Sequence, residues 1–210
     1  MQLPLVFTEP LLLVGDAPLS ATEKTFIQDW CGPIVCADGG LQHAPVRENV
    51  WGIGDGDSHI GELTGNPNFL HVSEQHSNDL EKCLTRIQAP KVIGIGFLGG
   101  RWDHSLANLS LLLNYPNLVL TDATQSVVGC HNTYQGRHTP AEILGIIPAT
   151  PCIFAKSQGL QYPLDGLTLA MGERISSSNA CLTEDVRITG TGQFWFISDS
   201  LLNTKTVFTH

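Results

Sequence analysis

Asp55 and Asp57 stand two residues apart in "GDGDS" (54–58), directly after the apolar run "VWGI". In an extended segment their carboxylates would point the same way, roughly 7 Å apart, and Gly56 allows tighter curling because it tolerates backbone angles that other residues avoid. Two such charges repel. A shared hard cation would relieve the repulsion, since Mg²⁺ is commonly held by one or two carboxylates plus substrate phosphates. Protonation of one aspartate is the other resolution.

Similar chemistry follows three more apolar runs: Asp38-Gly39-Gly40 after "PIVCA", Asn78-Asp79 after "FLHVS" and a short loop, and "GGRWDH" (99–104) after "KVIGIG". Paired glycines opening a helix let backbone N–H groups approach a phosphate. Arg101 carries a permanent charge that can fork onto phosphate oxygens. His104 and Asn108 are four residues apart and share a helical face. Each aspartate alone has a structural alternative as a turn former or helix cap. Asn78 is positioned to cap a helix with Glu81 completing a capping box, and Asp79 would then only complement the positive helix end. Acidic residues and glycines gathering after four separate runs favour a ligand.

The elements that must position these residues are legible as a pattern. Apolar runs lie at 11–15, 33–37, 50–54, 69–73, 91–96 and 117–121. Helical segments are expected between several of them. One is 20–30. Another is 78–88, where Leu80, Cys83, Leu84 and Ile87 share a face, and a third is 103–114, with a stripe of Leu106, Leu109 and Leu113 expected to meet the sheet. Continuously apolar strands alternating with helices predict a parallel α/β sheet, whose ligands sit at the carboxyl ends of the strands. After a boundary near 122–126 the segments shorten: "AEILGII", "PCIFA", "LTLAM", "DVRIT" and "QFWFIS" follow one another without helices. Gly190-Thr191-Gly192 reads as a hairpin-like turn between the last two. The expected fold is therefore an N-terminal parallel-sheet α/β domain (1–122) followed by a C-terminal all-β sandwich domain (123–210).

Composition limits the function classes. The chain has 210 residues, 42% of them hydrophobic and 15% charged, with a formal net charge of −9. Such a balance argues against coating nucleic acid or an anionic membrane. Six cysteines are scattered without a C-x-x-C pair, so free thiols are expected rather than a zinc site or a disulfide framework. No basic leader and no apolar run near the length of a membrane helix stand out, and a cytoplasmic protein is expected. There is no P-loop, no H-E-x-x-H and no G-x-S-x-G.

Taken in order, "CADGG" (36–40), "GDGDS" (54–58), "NDLEKCL" (78–84) and "GGRWDHSLANLSLL" (99–112) resemble the thiamin pyrophosphokinase family, and "ISSSN" (175–179) after "GLQYPLDGLTL" resembles its C-terminal substrate motif. The resemblance implies a homodimer with sites at the subunit interface. It implies transfer of a pyrophosphoryl group from ATP to the hydroxyl of thiamin, releasing AMP, with Mg²⁺. Carried over by motif, Asp55, Asp57 and Asp79 would hold the metal and triphosphate, with Arg101 and Asp103 beside them in catalysis. Asp38, Gly39, Gly40, Arg101, Asp103, His104 and Asn108 would line the nucleotide side. Ser176, Ser178 and Asn179 would meet thiamin, and Tyr162, where some members carry Trp, could stack on its heteroaromatic ring. Three other functions share these residues: a pyrophosphokinase for another heteroaromatic alcohol such as a pterin, a metal-dependent phosphohydrolase, and a non-catalytic nucleotide sensor.

Overall fold

The computed structural model describes residues 3–56, 68–74 and 76–203, which form a sheet-rich molecule with few helices. They divide into two compact units: the described residues within Met1–Leu111, Asn117–Ala123 and Leu202–His210, and those within Leu112–Pro116 and Thr124–Leu201. Among the described residues no helix is long and apolar enough to cross a membrane.

The first unit runs β1 (Leu5–Val6), β2 (Leu11–Val14), α1 (Ala21–Asp29), β3 (Ile34–Ala37), a 3₁₀ turn (Asp38–His43), β4 (Val50–Gly54), β5 (Phe69–His71), α2 (Asp79–Leu84), β6 (Ile87–Gln88), β7 (Val92–Ile95), α3 (Trp102–Leu111) and β8 (Leu118–Thr121). Strands pair in parallel in the order β8-β7-β2-β3-β4-β5, with Leu12 opposite both Ile34 and Ile93. Every residue of β2, β3 and β7 is buried, which explains their unbroken apolar runs: a parallel strand covered on both faces has no polar side. Burial of each such Leu or Ile contributes about 1.5–3 kcal/mol over leaving it in water.

Chain direction fixes where a ligand can enter. From β2 the chain steps outward through β3, β4 and β5, then returns to β7 on the other side of β2. The crevice between β2 and β7 is therefore a topological switch point, open at the carboxyl ends. Its floor is two glycines in mutual contact. A Cβ on Gly15 would lie 2.4 Å from the Gly96 carbonyl oxygen, and one on Gly96, at φ +79°, would lie 2.6 Å from that of Gly15.

The helices differ from expectation at their ends and faces. The first is closed by a full capping box, Ser20 with Glu23, at its N-terminus. The expected 78–88 helix is only α2: it is capped at Thr85, the Arg86 N–H turns to the Cys83 carbonyl at 2.9 Å, and Ile87–Gln88 then pair as a strand with Leu5–Val6. Ile87 is buried, but through β6 and not on the helix face assigned to it. In α3 the buried residues are Ser105, Asn108 and Leu111, whereas Leu106 of the expected apolar stripe is 63% exposed and Leu113 falls beyond the helix. A leucine stripe gives way here because the polar side chains on the inner face find hydrogen-bond partners, as described below.

In the second unit, β9 (Gln125–Arg137), β10 (Ile143–Pro148), β11 (Cys152–Gln158), β12 (Thr168–Leu169), β13 (Ser176–Ala180) and β14 (Asp185–Asp199) pair antiparallel. The longest, β14, lies along β9 over most of its length, with β11 and then β10 on its other edge. Val186, Ile188, Phe194 and Phe196 of β14 are buried beside Phe154 and Leu144 in one core. The stretch Gly190-Thr191-Gly192 is not a hairpin turn, as expected, but an irregularity inside β14. Residues 190–192 oppose Asn132 alone, so two extra residues are absorbed. An even insertion leaves the inward parity unchanged, which is why both halves of β14 serve the same core. Gly190 is required there, since a Cβ would meet the Ile153 carbonyl oxygen at 2.5 Å. All six cysteines are free thiols, and only Cys31 is exposed.

Candidate active site

The carboxyl ends of β2, β3, β4 and β7, together with the N-terminal turn of α2 and the inner side of α3, enclose a cleft of about 590 Å³. Asp38, Asp55, Asp79, Arg101, His104 and Asn108 line it. Gly39 and Gly40 lie just behind, in the 3₁₀ turn. Each stands where the chain crowds β2. A Cβ on Gly40 would approach the Val14 carbonyl oxygen to 2.2 Å, and one on Gly39 the Asp16 carboxylate to 2.6 Å. Asp57 lies outside the described residues.

Asp38 is almost wholly buried, with φ +40°, and its Oδ1 accepts from the Gly56 backbone N–H at 3.0 Å. It fits only because Gly54 has no Cβ, which would sit 2.5 Å from that oxygen. The positive φ is a strained setting for a non-glycine residue, held by this bond and by the packing.

The compensation sought for the carboxylates comes from Lys82. Its Nζ is 3.2 Å from Asp55 Oδ2 and 3.1 Å from Asp79 Oδ1, and its side chain is 4% exposed. Burial alone would lower its pKa, but the hydrogen bonds to Asp79 and Asp55 more than offset this, and the pKa is raised. One buried ammonium thus joins the end of β4 to the first turn of α2. Among the described residues no group of three or more His, Cys, Asp or Glu is placed to hold a metal ion. Asp55 and Asp79 nonetheless fit one: two hard oxygen donors from separate elements already converge on a positive charge.

Asn78 and Asn108 brace this corner. Asn78 Oδ1 accepts from the Glu81 N–H at 2.8 Å, capping α2, while its Nδ2 donates to Asn108 Oδ1 at 3.1 Å. Asn108 Nδ2 in turn donates to the Phe97 carbonyl at 2.8 Å. The Asn108 amide therefore ties α3 to the exit of β7 and to the start of α2. Asn108→Ala is expected to destabilise the protein by about 1–3 kcal/mol, because it leaves buried polar partners unsatisfied; urea unfolding measures it, and a loss under about 0.5 kcal/mol would contradict this account.

Arg101 and Asp103 are both exposed and pair in a fork, Nε to Oδ1 at 3.1 Å and Nη2 to Oδ2 at 2.5 Å. The guanidinium holds the Asp103 carboxyl down at about 2. His104 is exposed at the cleft edge.

The other expected residues lie in the second unit. Ser176, Ser178 and Asn179 belong to β13. Asn179 is buried, and its amide is fully used: Oδ1 accepts from the Tyr162 and Ala180 N–H groups, and Nδ2 donates to the Tyr162 carbonyl and Ser176 Oγ. It fixes the backbone of Tyr162, a residue that is 59% exposed. Ser178 is exposed.

Three contributors were not anticipated from the sequence. Lys82 had a signal, its i, i+3 spacing from Asp79. Asp16 lines the cleft and accepts from Gln42; its place after the apolar run 11–15 is the same signal that marked Asp38. The Asn78–Asn108 bond, thirty residues apart, had none.

The sequence profile described as "Thiamin pyrophosphokinase, catalytic domain" matches residues 26–121, and that described as "Thiamin pyrophosphokinase, vitamin B1 binding domain" matches residues 133–193. Thiamine pyrophosphokinase 3 of Oryza sativa subsp. japonica is 30% identical over 171 residues, covering 69% of this chain and 64% of that relative. The chain thus spans a little under two thirds of that protein's length. Among solved structures, thiamin pyrophosphokinase from Geobacillus thermodenitrificans superposes with a TM-score of 0.74 at 22% identity, over 94% of this chain and all of that one. The yeast thiamin pyrophosphokinase gives 0.77 at 14% identity, over all of this chain and 95% of that one. Two successive matched domains, these relatives and a shared fold agree: this chain belongs to the thiamin pyrophosphokinase family.

Proposed function

We propose that the protein is a thiamin diphosphokinase that transfers the pyrophosphoryl group of ATP to the hydroxyl of thiamin. The observation that carries this reading is the cleft at the strand ends, where carboxylates of two elements converge on one cation with Arg101 at the rim. In the proposed reaction the thiamin hydroxyl oxygen bonds to the β-phosphorus. The bond from that phosphorus to the αβ-bridging oxygen breaks, AMP leaves with the bridging oxygen, and the hydroxyl proton is released.

Asp55 and Asp79, joined by Asp57, would hold Mg²⁺. When bound, Mg²⁺ neutralises phosphate charge and helps orient the phosphate chain. The protein's own groups do the rest. Asp38, Gly39, Gly40, His104 and Asn108 shape the nucleotide side, with Asn108 acting through the backbone it braces. Arg101 exchanges its fork on Asp103 for two oxygens of a phosphate, which can accept the guanidinium's paired N–H donors as a carboxylate does. Tyr162 offers its ring to the heteroaromatic substrate, Ser176 and Ser178 offer hydroxyls, and Asn179 sets the position of Tyr162. In this reading residues 1–122 form the catalytic domain, 123–210 form a β-sandwich that binds thiamin, and the protein works as a cytoplasmic homodimer.

Product analysis by ³¹P NMR tests the assignment. With ATP, Mg²⁺ and thiamin, AMP and thiamin diphosphate should appear in equal amounts. Phosphate release independent of thiamin would identify a phosphohydrolase instead. Arg101→Ala should raise the KM for ATP about 10- to 100-fold, the loss of one or two charge-assisted hydrogen bonds. The melting temperature should stay unchanged, because this side chain is 70% exposed. An equal loss of stability would mark a structural arginine.

A further inference from the structure

We propose that Lys82 is the resident cation of the Asp55–Asp79 pair and makes the cleft select a divalent ion accompanied by a nucleotide's phosphates over the bare ion. The inference rests on the reading of the cleft as a metal–nucleotide site and adds a positioning and selectivity role for a residue which that reading leaves unused.

The geometry carries it. The ammonium of Lys82 contacts one oxygen of each carboxylate at 3.2 and 3.1 Å, and it faces the cleft while being nearly closed to water. A buried ammonium is tolerated only while its charge is matched. A bare divalent ion approaching Asp55 and Asp79 meets a positive charge already seated there. To bind, it must take both carboxylates from Lys82 and leave the ammonium without a counter-charge. A metal–triphosphate complex removes that obstacle, because its phosphate oxygens receive the displaced ammonium while its ion takes the carboxylates. Metal and nucleotide then strengthen each other's binding, by the same factor in either order. A second consequence concerns order in the unliganded state. With Lys82 in place, the end of β4 and the first turn of α2 are drawn together before any ligand arrives, so the oxygens need not be gathered at the moment of binding.

An ordinary structural ion pair would stabilise the fold without coupling two ligands, and the coupling is what can be measured. Mn²⁺ is titrated into the protein, its free concentration read by electron paramagnetic resonance, with and without α,β-methylene-ATP. The parent protein should bind bare Mn²⁺ weakly and gain at least tenfold in affinity from the nucleotide. Lys82→Met should bind bare Mn²⁺ at least tenfold more tightly than the parent and lose most of the nucleotide's advantage, while Lys82→Arg restores the parent pattern. Circular dichroism melts confirm folding. Should Lys82→Met not fold, Lys82→Gln, which still donates hydrogen bonds but carries no charge, takes its place with the same expectation. Unchanged bare-ion affinity and an undiminished nucleotide advantage in the uncharged variant would overturn the proposal and leave the reading of the cleft standing. A parent protein that takes up no Mn²⁺ even with nucleotide would overturn both.

Discussion

Replacing Asp55 by Asn is expected to slow AMP formation by at least about 100-fold while leaving the protein folded. The substitution keeps the size of the side chain and an oxygen that can still accept from Lys82. It removes the negative charge, and charge at the point where phosphates and their cation gather is worth that much in rate. The side chain is 16% exposed and its neighbour Asp79 remains to pair the ammonium, so the melting temperature should fall by no more than a few degrees. Steady-state kinetics with a coupled AMP assay measures the first effect and calorimetry the second. The sequence gives Asp57 the same expectation from its place in "GDGDS". A folded Asp55→Asn variant with near-normal turnover would remove the carboxylate from the chemistry.

Phe154→Ala should cost the second unit about 3–5 kcal/mol, the range for deleting a buried aromatic ring from a core that cannot collapse around the gap. Phe154 is fully buried and meets Phe194 edge-on with centroids 5.5 Å apart. Around it the backbone is fixed on both sides, since β11 pairs with β12 and β14, and such a frame leaves little freedom to relax. Chemical unfolding followed by near-ultraviolet circular dichroism reports the change. A loss below about 1 kcal/mol would mean that this core repacks readily.

The sequence disclosed the strands of the first unit more faithfully than its helices, for a physical reason. A strand buried on both faces must be apolar throughout, so β4 was expected at 50–54 and stands at Val50–Gly54. Helix ends depend on single hydrogen bonds. α2 stops at Thr85, after which the Arg86 N–H turns to the Cys83 carbonyl, and nothing in the periodicity of Leu80, Cys83, Leu84 and Ile87 reveals that Ile87 will find a strand partner in Leu5. The face of α3 was misjudged because a buried asparagine with two partners can displace a leucine from the interior, and those partners, Asn78 and Phe97, are distant in sequence. The glycines around Thr191 suggested a turn because two glycines usually do; here one marks the close approach of β11.

At the site, the residue types were readable and their partnerships were not. Aspartates after apolar runs pointed to the strand ends, and the cleft lies there with Asp38, Asp55 and Asp79 in its wall. What the spacing could not disclose is that the carboxylates' counter-charge is supplied by the protein. A lysine three residues after an aspartate on a helix is common at surfaces; only the fold buries this one between two elements. Asn179 was expected at the substrate; its amide is taken up by hydrogen bonds to Tyr162, Ala180 and Ser176, partners that no spacing discloses.

The most direct measurement is a crystal structure of the protein with α,β-methylene-ATP and Mn²⁺, the ion located by its anomalous signal. The account predicts the triphosphate in the cleft between β2, β4 and β7, a Mn²⁺ ion on the carboxylates of Asp55 and Asp79, and Arg101 turned from Asp103 to the phosphates. A nucleotide seated elsewhere, with Lys82 still bridging both aspartates and no ion beside them, would contradict it.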